Sequence, residues 1–133
     1  MNLELAKSEY ILLMRNTSWV EGLSPEQAQK VMGRLTAWLD DLRQRGVLKS
    51  GQPLMDEGRM VRKGRILADG PFPEAKEAVG GYLLLQADTL DEAAAIAQQC
   101  PCLEHGVCIE VRPVAEECPK FQRARELLAR SAN

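Results

Sequence analysis

Glu110 and Arg112 are two charged side chains separated by one residue in the alternating segment 107–114. In an extended strand, residues two apart point to the same face, so these two would share a face with Cys108. One interpretation is structural: the charges pair with a neighbouring strand or across a dimer interface. The other is functional, because the planar guanidinium of Arg112 can bind a carboxylate or phosphate through two hydrogen bonds. Glu110 would then orient Arg112 or act as a second acid, and both interpretations remain open.

Asp69 begins the segment Asp69-Gly70-Pro71-Phe72, whose residue types are typical of a sharp turn. Asp can bond its own backbone in such a turn, and Gly before Pro favours an extended or turn conformation. A partly buried carboxylate at the edge of a pocket could also serve as a general acid or base. We predict that the segment leads the chain from a hairpin into a central strand and presents Asp69 to a cleft.

Phe72, Lys76 and Tyr82 complete the set of candidate substrate-binding residues. Lys76 lies in a charged cluster that is typical of a solvated surface, yet it is the member of that cluster best able to reach a cleft. An aromatic residue such as Tyr82 occurs more often in a core or an interface than against a ligand. The sequence leaves both uses of these residues open.

Three thiols and one imidazole fall within nine residues, as Cys100, Cys102, His105 and Cys108. A Cys₃His zinc site usually has two to four residues between its first two cysteines, and here there is one. We therefore expect no metal, and we expect the cysteines to act as small buried hydrophobes. A disulfide is not expected in a cytosolic chain. No residue is evident that would orient His105 for nucleophilic catalysis, so we expect it in a loop or a cap.

Length and charge restrict the class of protein. The chain has 133 residues, which suits one domain, and a net charge of −2. That charge argues against a nucleic-acid partner, which would need a basic surface. The sequence has no apolar run of about 20 residues and no basic leader followed by an apolar segment, so we expect a cytoplasmic protein without membrane contact. Gly80-Gly81 is too short to signal a phosphate loop, and we expect no cofactor.

The first helix has clear start and stop signals. Ser24 can cap it, Pro25 suits its first position, Gln27 can complete a capping box, and Gly46 can end it. Helical spacing predicts one apolar stripe, which consists of Val31, Leu35, Trp38, Leu39 and Leu42.

The remaining patterns predict a mixed α and β order. Strands are expected at 10–15, 47–55, 80–87 and 107–114, and a hairpin at 59–68 is expected to turn near Lys63-Gly64. A second capping box, Thr89 to Glu92, precedes a helix at 93–99 that Pro101 stops, and a terminal helix is expected at 119–130. This order predicts an α+β, ferredoxin-like antiparallel sheet with both helices on one face. A second copy would cover the other face and enclose a cavity, as in a dimeric α+β barrel.

Two stretches of the sequence carry a resemblance to a known family. The first runs from Ala68 to Phe72 and continues through Glu74, Lys76-Glu77 and Gly80-Gly81-Tyr82, and the second is the late run 109–113 (Ile-Glu-Val-Arg-Pro). Together they resemble the DGPF or YCII-related domain family. The resemblance covers residues 8–115 and includes the first strand. Outside that range, we expect residues 1–7 to be a leader before the first strand and residues 116–133 to be a helical tail. It implies a ferredoxin-like domain that forms a homodimer and occurs mostly in bacteria.

The resemblance implies little about activity, because most such domains have no assigned reaction. In shorter relatives a His and Asp pair in the cleft is a proposed catalytic dyad. The one histidine here, His105, follows the second helix, so only Asp69 is carried over as a candidate acid or base. We expect a cleft that binds a small polar or anionic molecule. The alternative is a non-catalytic sensing or regulatory module, since some family genes lie near genes for alternative sigma factors.

Overall fold

The computed structural model describes residues 8–67 and 78–131. The elements are β1 (Ser8–Arg15), a first 3₁₀ helix (Trp19–Gly22), α1 (Pro25–Gln44), β2 (Leu48–Pro53), β3 (Met60–Arg62), β4 (Arg65–Leu67), β5 (Val79–Ala87), α2 (Leu90–Ala97), a second 3₁₀ helix (Pro101–His105), β6 (Cys108–Pro113) and α3 (Pro119–Ser131). Four strands form one sheet in the order β2-β5-β1-β6, and β3 pairs with β4 separately.

All neighbouring strands of the four-stranded sheet run antiparallel, and β1 lies at its centre between β5 and β6. With the β3–β4 hairpin set aside, the chain order is β-α-β-β-α-β, which is the order of a ferredoxin-like fold. The α+β class and the ferredoxin-like sheet predicted from the sequence are confirmed.

The core lies between the sheet and one layer of helices. Leu12 of β1 and Leu85 of β5 are fully buried, and they pack in one cluster with Leu42 of α1 and Ala97 of α2. The two helices therefore cover the same face of the sheet. The alternate strand residues form the opposite face, where Ile11 pairs with Leu84 and Leu13 with Tyr82. All four of these side chains are half-buried, and we call this surface the open face.

The predicted cap of α1 is confirmed. Ser24 Oγ accepts from the Gln27 N–H at 3.1 Å, and Gln27 Oε1 accepts from the Ser24 N–H at 2.9 Å. Gly46 follows the helix with φ +75°, a conformation that glycine adopts without strain. These contacts are local in sequence, which is why their residue types predict them.

The predicted capping box of α2 forms only in part. Thr89 Oγ1 accepts from the Glu92 N–H at 3.0 Å, as expected. The Glu92 carboxylate, however, accepts from the Asp88 N–H at 2.6 Å rather than from Thr89. With Thr89 extended at φ −141°, the amide within reach is the one before the cap. α2 also ends at Ala97, two residues earlier than predicted.

Two further elements follow their sequence signals closely. The β3–β4 hairpin turns at Gly64, which has φ +76°. Pro101 lies beyond the end of α2, as predicted, but it also begins the second 3₁₀ helix, because the fixed φ of proline suits a first helical position. The terminal helix α3 is confirmed, and no residue of it is buried.

Several sequence predictions fall outside the described residues. They are the leader at 1–7, the turn and cleft position of Asp69, and the roles of Phe72 and Lys76. Among the helices that the structure describes, none has the length and apolar character needed to cross a membrane.

Candidate functional site

A cavity of about 640 Å³ lies between α1 and the end of the sheet where β1 ends and β5 begins. Its volume is within the range of small-molecule sites. Much of the lining is apolar and includes Met14, Trp19, Leu35, Trp38, Leu39, Leu48 and Leu83. The charged residues of the lining within the described chain are Arg15, Arg43, Lys49 and Asp56. The site is therefore an apolar cavity with more cations than anions around it.

Two glycines at the start of β5 contribute to the open space. Gly80 and Gly81 both line the cavity. A Cβ on Gly81 would lie 3.1 Å from the Gln52 carbonyl oxygen, and one on Gly80 would lie 3.1 Å from Thr17 Cγ2. Such contacts are tight, so the close approach of the neighbouring chain favours glycine at both positions. The pair that was too short for a phosphate loop thus forms part of the cavity wall.

Trp38 is one of the lining residues, and it carries a buried polar atom. Its ring belongs to the hydrophobic core, as the sequence predicts, and 8% of the residue is exposed. Its indole Nε1 is buried and has no hydrogen-bond partner among the described residues. A buried donor without an acceptor costs about 1–3 kcal/mol, so such a group is unusual in a folded protein. The atom has almost no accessible surface, so a bound molecule could supply the acceptor only if the indole ring shifts toward the cavity.

Asn16 holds the corner between β1 and the cavity in a strained conformation. It has φ +80°, which is uncommon outside glycine, and it directly follows an irregularity between Met14 and Arg15. Its Nδ2 donates to the Gly106 carbonyl at 2.9 Å, and its Oδ1 accepts from the Ser18 hydroxyl at 3.1 Å. These bonds fix the loop that carries Trp19. Strained residues of this kind tend to cluster at functional sites.

Trp19 connects the cavity to the second 3₁₀ helix. Its ring stacks on that of His105, with centroids 6.2 Å apart and planes 24° from parallel. His105 ends the helix Pro101–His105, so it is a helix-end residue, in line with the loop or cap position expected. Cys102 of the same short helix also lines the cavity.

Glu110 and Arg112 lie together on the open face, and neither belongs to the cavity lining. Glu110 Oε1 accepts from Arg15 of the neighbouring strand, at 2.7 Å from Nη2 and 3.1 Å from Nε. The second oxygen, Oε2, is 3.9 Å from Arg112 Nη1. The side chain of Arg112 is 67% exposed, against 36% for Glu110. Glu110 therefore lies between two arginines, and its shorter contacts are to Arg15.

Tyr82 is among the residues that line the cavity, although its side chain lies on the open face. The predicted cleft between the sheet and a partner chain requires a second copy and stays a prediction. Sequence reasoning missed Arg15 and the indole N–H of Trp38. Arg15 had a signal, because it ends the apolar run of β1 with a charge. The lack of a described partner for the Trp38 N–H had no such signal.

The cysteines fall into two groups. Cys100 and Cys102 are buried, as predicted, whereas Cys108 and Cys118 are exposed, and all four are free thiols. A hydrogen bond from the Cys102 side chain lowers the pKa of Cys100 to about 7, against the opposing effect of burial. The same hydrogen bond, together with burial, raises the pKa of Cys102. Within 8–67 and 78–131, no three His, Cys, Asp or Glu side chains form a group that could hold a metal ion.

Comparison with known proteins adds a family match. A model of the YCII-related domain matches residues 8–118. No curated protein matches the chain. One similar solved structure is a 5-chloro-2-hydroxyhydroquinone dehydrochlorinase from Burkholderia phenoliruptrix AC1100 in complex with 2,5-dihydroxybenzoquinone. It is 15% identical, the match covers 82% of this chain and 95% of that chain, and the TM-score is 0.46.

Proposed function

Because the chain belongs to the YCII-related domain family, we propose that it binds a small organic anion with an apolar body in the cavity beside α1. The observation that carries this proposal is the buried indole N–H of Trp38, which has no partner among the described residues. A small shift of the indole ring would bring the N–H to the cavity surface, where a ligand oxygen would supply the missing acceptor. The ligand therefore combines an apolar part, which the leucines and tryptophans of the lining contact, with a carboxylate, phenolate or similar acceptor.

The charges around the cavity favour an anion. Arg43 pairs with Asp40 at 3.0 Å on the surface of α1, and its side chain is 60% exposed. Lys49 pairs with Glu9 at the longer distance of 3.6 Å. Exposed ion pairs of this kind contribute about 0–1 kcal/mol, so a ligand anion could compete for either cation at little cost.

The binding experiment can use the two tryptophans of the chain, since Trp19 and Trp38 both line the cavity. Phenylacetate, which has an apolar ring and a carboxylate, is expected to change the tryptophan fluorescence and to bind about tenfold more tightly than its neutral amide. A tenfold ratio corresponds to about 1.4 kcal/mol. Absence of binding by both compounds, or equal affinity for both, would overturn the proposed anion site.

Trp38→Phe tests the hydrogen bond within the same site. The variant keeps an aromatic ring in the core and removes the N–H, so phenylacetate affinity measured by calorimetry is expected to fall about five- to tenfold. The matched control is Trp19→Phe, which changes the other tryptophan of the lining. Its expected effect is about twofold or less. If both variants weakened binding equally, the Trp38 N–H would have no special part in recognition.

We propose Asp69 as the acid or base of a reaction in this cavity, with Phe72 and Lys76 near the ligand and Tyr82 in the wall. The support is the position of the segment in the chain, because it joins β4 to β5, and β5 begins at the cavity. Glu110 and Arg112 would act at the open face, through Arg15, which contacts Glu110 and also lines the cavity.

Asp69→Asn gives this proposal a measurable consequence. If the carboxylate faces the cavity, its removal relieves repulsion of an anion, and phenylacetate affinity is expected to rise about fivefold, or about 1 kcal/mol. Glu116→Gln, which removes an exposed carboxylate beyond β6, serves as the control and should leave the affinity unchanged. An unchanged affinity in Asp69→Asn would place Asp69 away from the ligand.

The alternative is a ligand-sensing or regulatory module without catalysis, in keeping with the sigma-factor link that the family resemblance implies. One observation favours it: within the described part of the lining, Asp56 is the one carboxylate, it is exposed, and no histidine accompanies it. A catalytic site built from the described residues would therefore lack a paired acid and base. In either form we propose a cytoplasmic homodimer, with the open face of each chain against its partner.

A further inference from the structure

The terminal helix α3 carries an apolar stripe that the described part of its own chain leaves exposed. Phe121, Ala124 and Leu128 lie at helical spacing on one side of it, with Leu127 beside them. No residue of α3 is buried, and Phe121 is 66% exposed and Leu128 69% exposed. A helix of 13 residues is marginal in water unless it packs against another surface. The stripe therefore needs a partner surface.

The charges around this stripe restrict the kind of surface that can cover it. The helix contains four cations and one carboxylate, which gives it a net charge of +3. Lys120 borders the stripe, and Arg123 and Arg125 flank it on either side. Both arginines have exposed ion pairs, with Glu126 and Glu117 respectively, and such pairs exchange partners at little cost. A matching surface would be apolar at its centre and negatively charged.

The exposed side of α2 has both properties. Leu90 is 44% exposed, and Ala94 follows it by one helical turn, with the exposed Ala95 beside it. Small side chains at a contact allow a second helix to approach closely. Asp91 is exposed on the same side, and residues 88–99 contain three carboxylates and no cation. This surface therefore complements the apolar stripe and the positive charge of α3.

Two other exposed surfaces fit α3 less well. The helix α1 balances three carboxylates with three cations, and its Asp40 and Asp41 already pair with neighbouring arginines. The β3–β4 hairpin exposes Val61 and Ile66, but residues 59–65 include four cations and no carboxylate. Because like charges that face each other across a contact oppose binding, the hairpin would repel α3.

We propose that α3 of each chain docks on α2 of a second copy, so that two identical contacts help to close a symmetric homodimer. The inference rests on the homodimer proposed above, but not on its ligand. A second copy is the occupant that the charges favour, because the net charge of +3 on α3 meets three carboxylates of an identical chain.

The segment between β6 and α3 is long enough for this exchange. β6 is an edge strand, so residues 114–118 leave the sheet at its border. Fully extended, this segment spans about 17 Å, and the length of α3 adds about 20 Å. Stacked sheets lie about 10 Å apart and a helix is about 10 Å thick, so α2 of a copy stacked on the open face is within reach.

Cross-linking between two variants of the full chain tests the contact directly. One variant carries Ala94→Cys and the other Leu128→Cys, and both carry Cys108→Ser and Cys118→Ser to remove the exposed thiols. After exchange of subunits, a short bismaleimide is expected to give a covalent dimer with one chain of each kind, which neither variant gives alone. In the control mixture Met32→Cys, at an exposed position of α1, replaces Ala94→Cys and should give no such product.

The outcomes separate this contact from the homodimer itself. A dimeric natural chain whose variants give no mixed product would overturn the helix contact alone. A monomeric natural chain would overturn the homodimer and the contact with it. With both new cysteines in one chain, an internal cross-link in place of a covalent dimer would put α3 on its own α2 and overturn the exchange.

Charge reversal tests the complementarity of the two helices. Lys120→Glu with Arg123→Glu, and separately Asp88→Lys with Asp91→Lys, are each expected to raise the dissociation constant of the dimer about tenfold. All four changes in one chain should restore it to within about threefold, because the same attraction returns with its signs exchanged. A combined variant that dimerises no better than either pair alone would overturn the docking of α3 on α2. Circular dichroism of each variant confirms that the fold is retained.

Discussion

Replacing Leu13 with arginine is expected to dissociate the proposed homodimer into monomers. Leu13 lies in the central strand β1, on the open face, and its side chain is half-buried. Across the sheet it pairs with Tyr82 of β5 and Glu110 of β6. In a symmetric dimer the substitution occurs in both copies, so two additional guanidinium groups, each beside a Glu110 that Arg15 already engages, would enter the same interface.

The size of the effect follows from the cost of burying an unpaired charge. A total cost of about 3 kcal/mol would raise the dissociation constant of the dimer more than about a hundredfold. Light scattering during gel filtration reports the change, and circular dichroism shows whether the chain stays folded. In a monomer the new side chain would face water, so the fold should survive. Ile11→Arg, at the neighbouring position of the same face, should behave in the same way.

The control for this prediction is Met32→Arg. Met32 is 56% exposed on α1, which covers the other face of the sheet, so the variant should remain dimeric. If the natural chain is a monomer in gel filtration, or if the Leu13→Arg variant stays dimeric, the open face is not the dimer interface that we propose. In that case the half-buried apolar residues of this face would need another partner.

The fold is predictable from the sequence because its signals are local or strictly periodic. The box between Ser24 and Gln27 involves residues three apart, and the turn glycines Gly46 and Gly64 stand where the chain must adopt positive φ. Alternation in β6 places Ile109 toward the helices and Glu110 on the open face. At Glu92, where the cap depends on backbone geometry, the same reasoning gave the wrong donor, because the carboxylate accepts from the Asp88 N–H and not from that of Thr89.

The cavity is less predictable because it arises from contacts between distant parts of the chain. The spacing of Trp38 on the apolar stripe predicts burial, and burial is correct. That its N–H has no described partner depends on the neighbours that α1, β1 and β5 bring together, and no local pattern encodes them. Likewise, Arg15 meets Glu110 only because β1 and β6 pair in one particular register, across 95 residues of sequence.

Replacing Leu39 with tryptophan is expected to abolish measurable binding of phenylacetate. Leu39 lines the cavity from α1 and is half-buried, so a larger ring at this position extends into the space available for a ligand. A ligand that loses about 100 Å² of apolar contact loses roughly 2.5 kcal/mol, which is close to a hundredfold in Kd. Since the ring enters a cavity rather than a packed core, we expect the free energy of unfolding to change by less than about 1.5 kcal/mol.

Met32→Trp provides the matched comparison, because it adds the same ring to the same helix at an exposed position outside the lining. It should bind phenylacetate as the natural chain does. Calorimetric titrations of both variants, with thermal unfolding of the free proteins, separate loss of the cavity from loss of the fold. If Leu39→Trp bound as tightly as Met32→Trp, the ligand would lie elsewhere, and the Trp38 N–H would need an acceptor from another source. If only Leu39→Trp lost binding at unchanged stability, the space beside α1 would be the site itself.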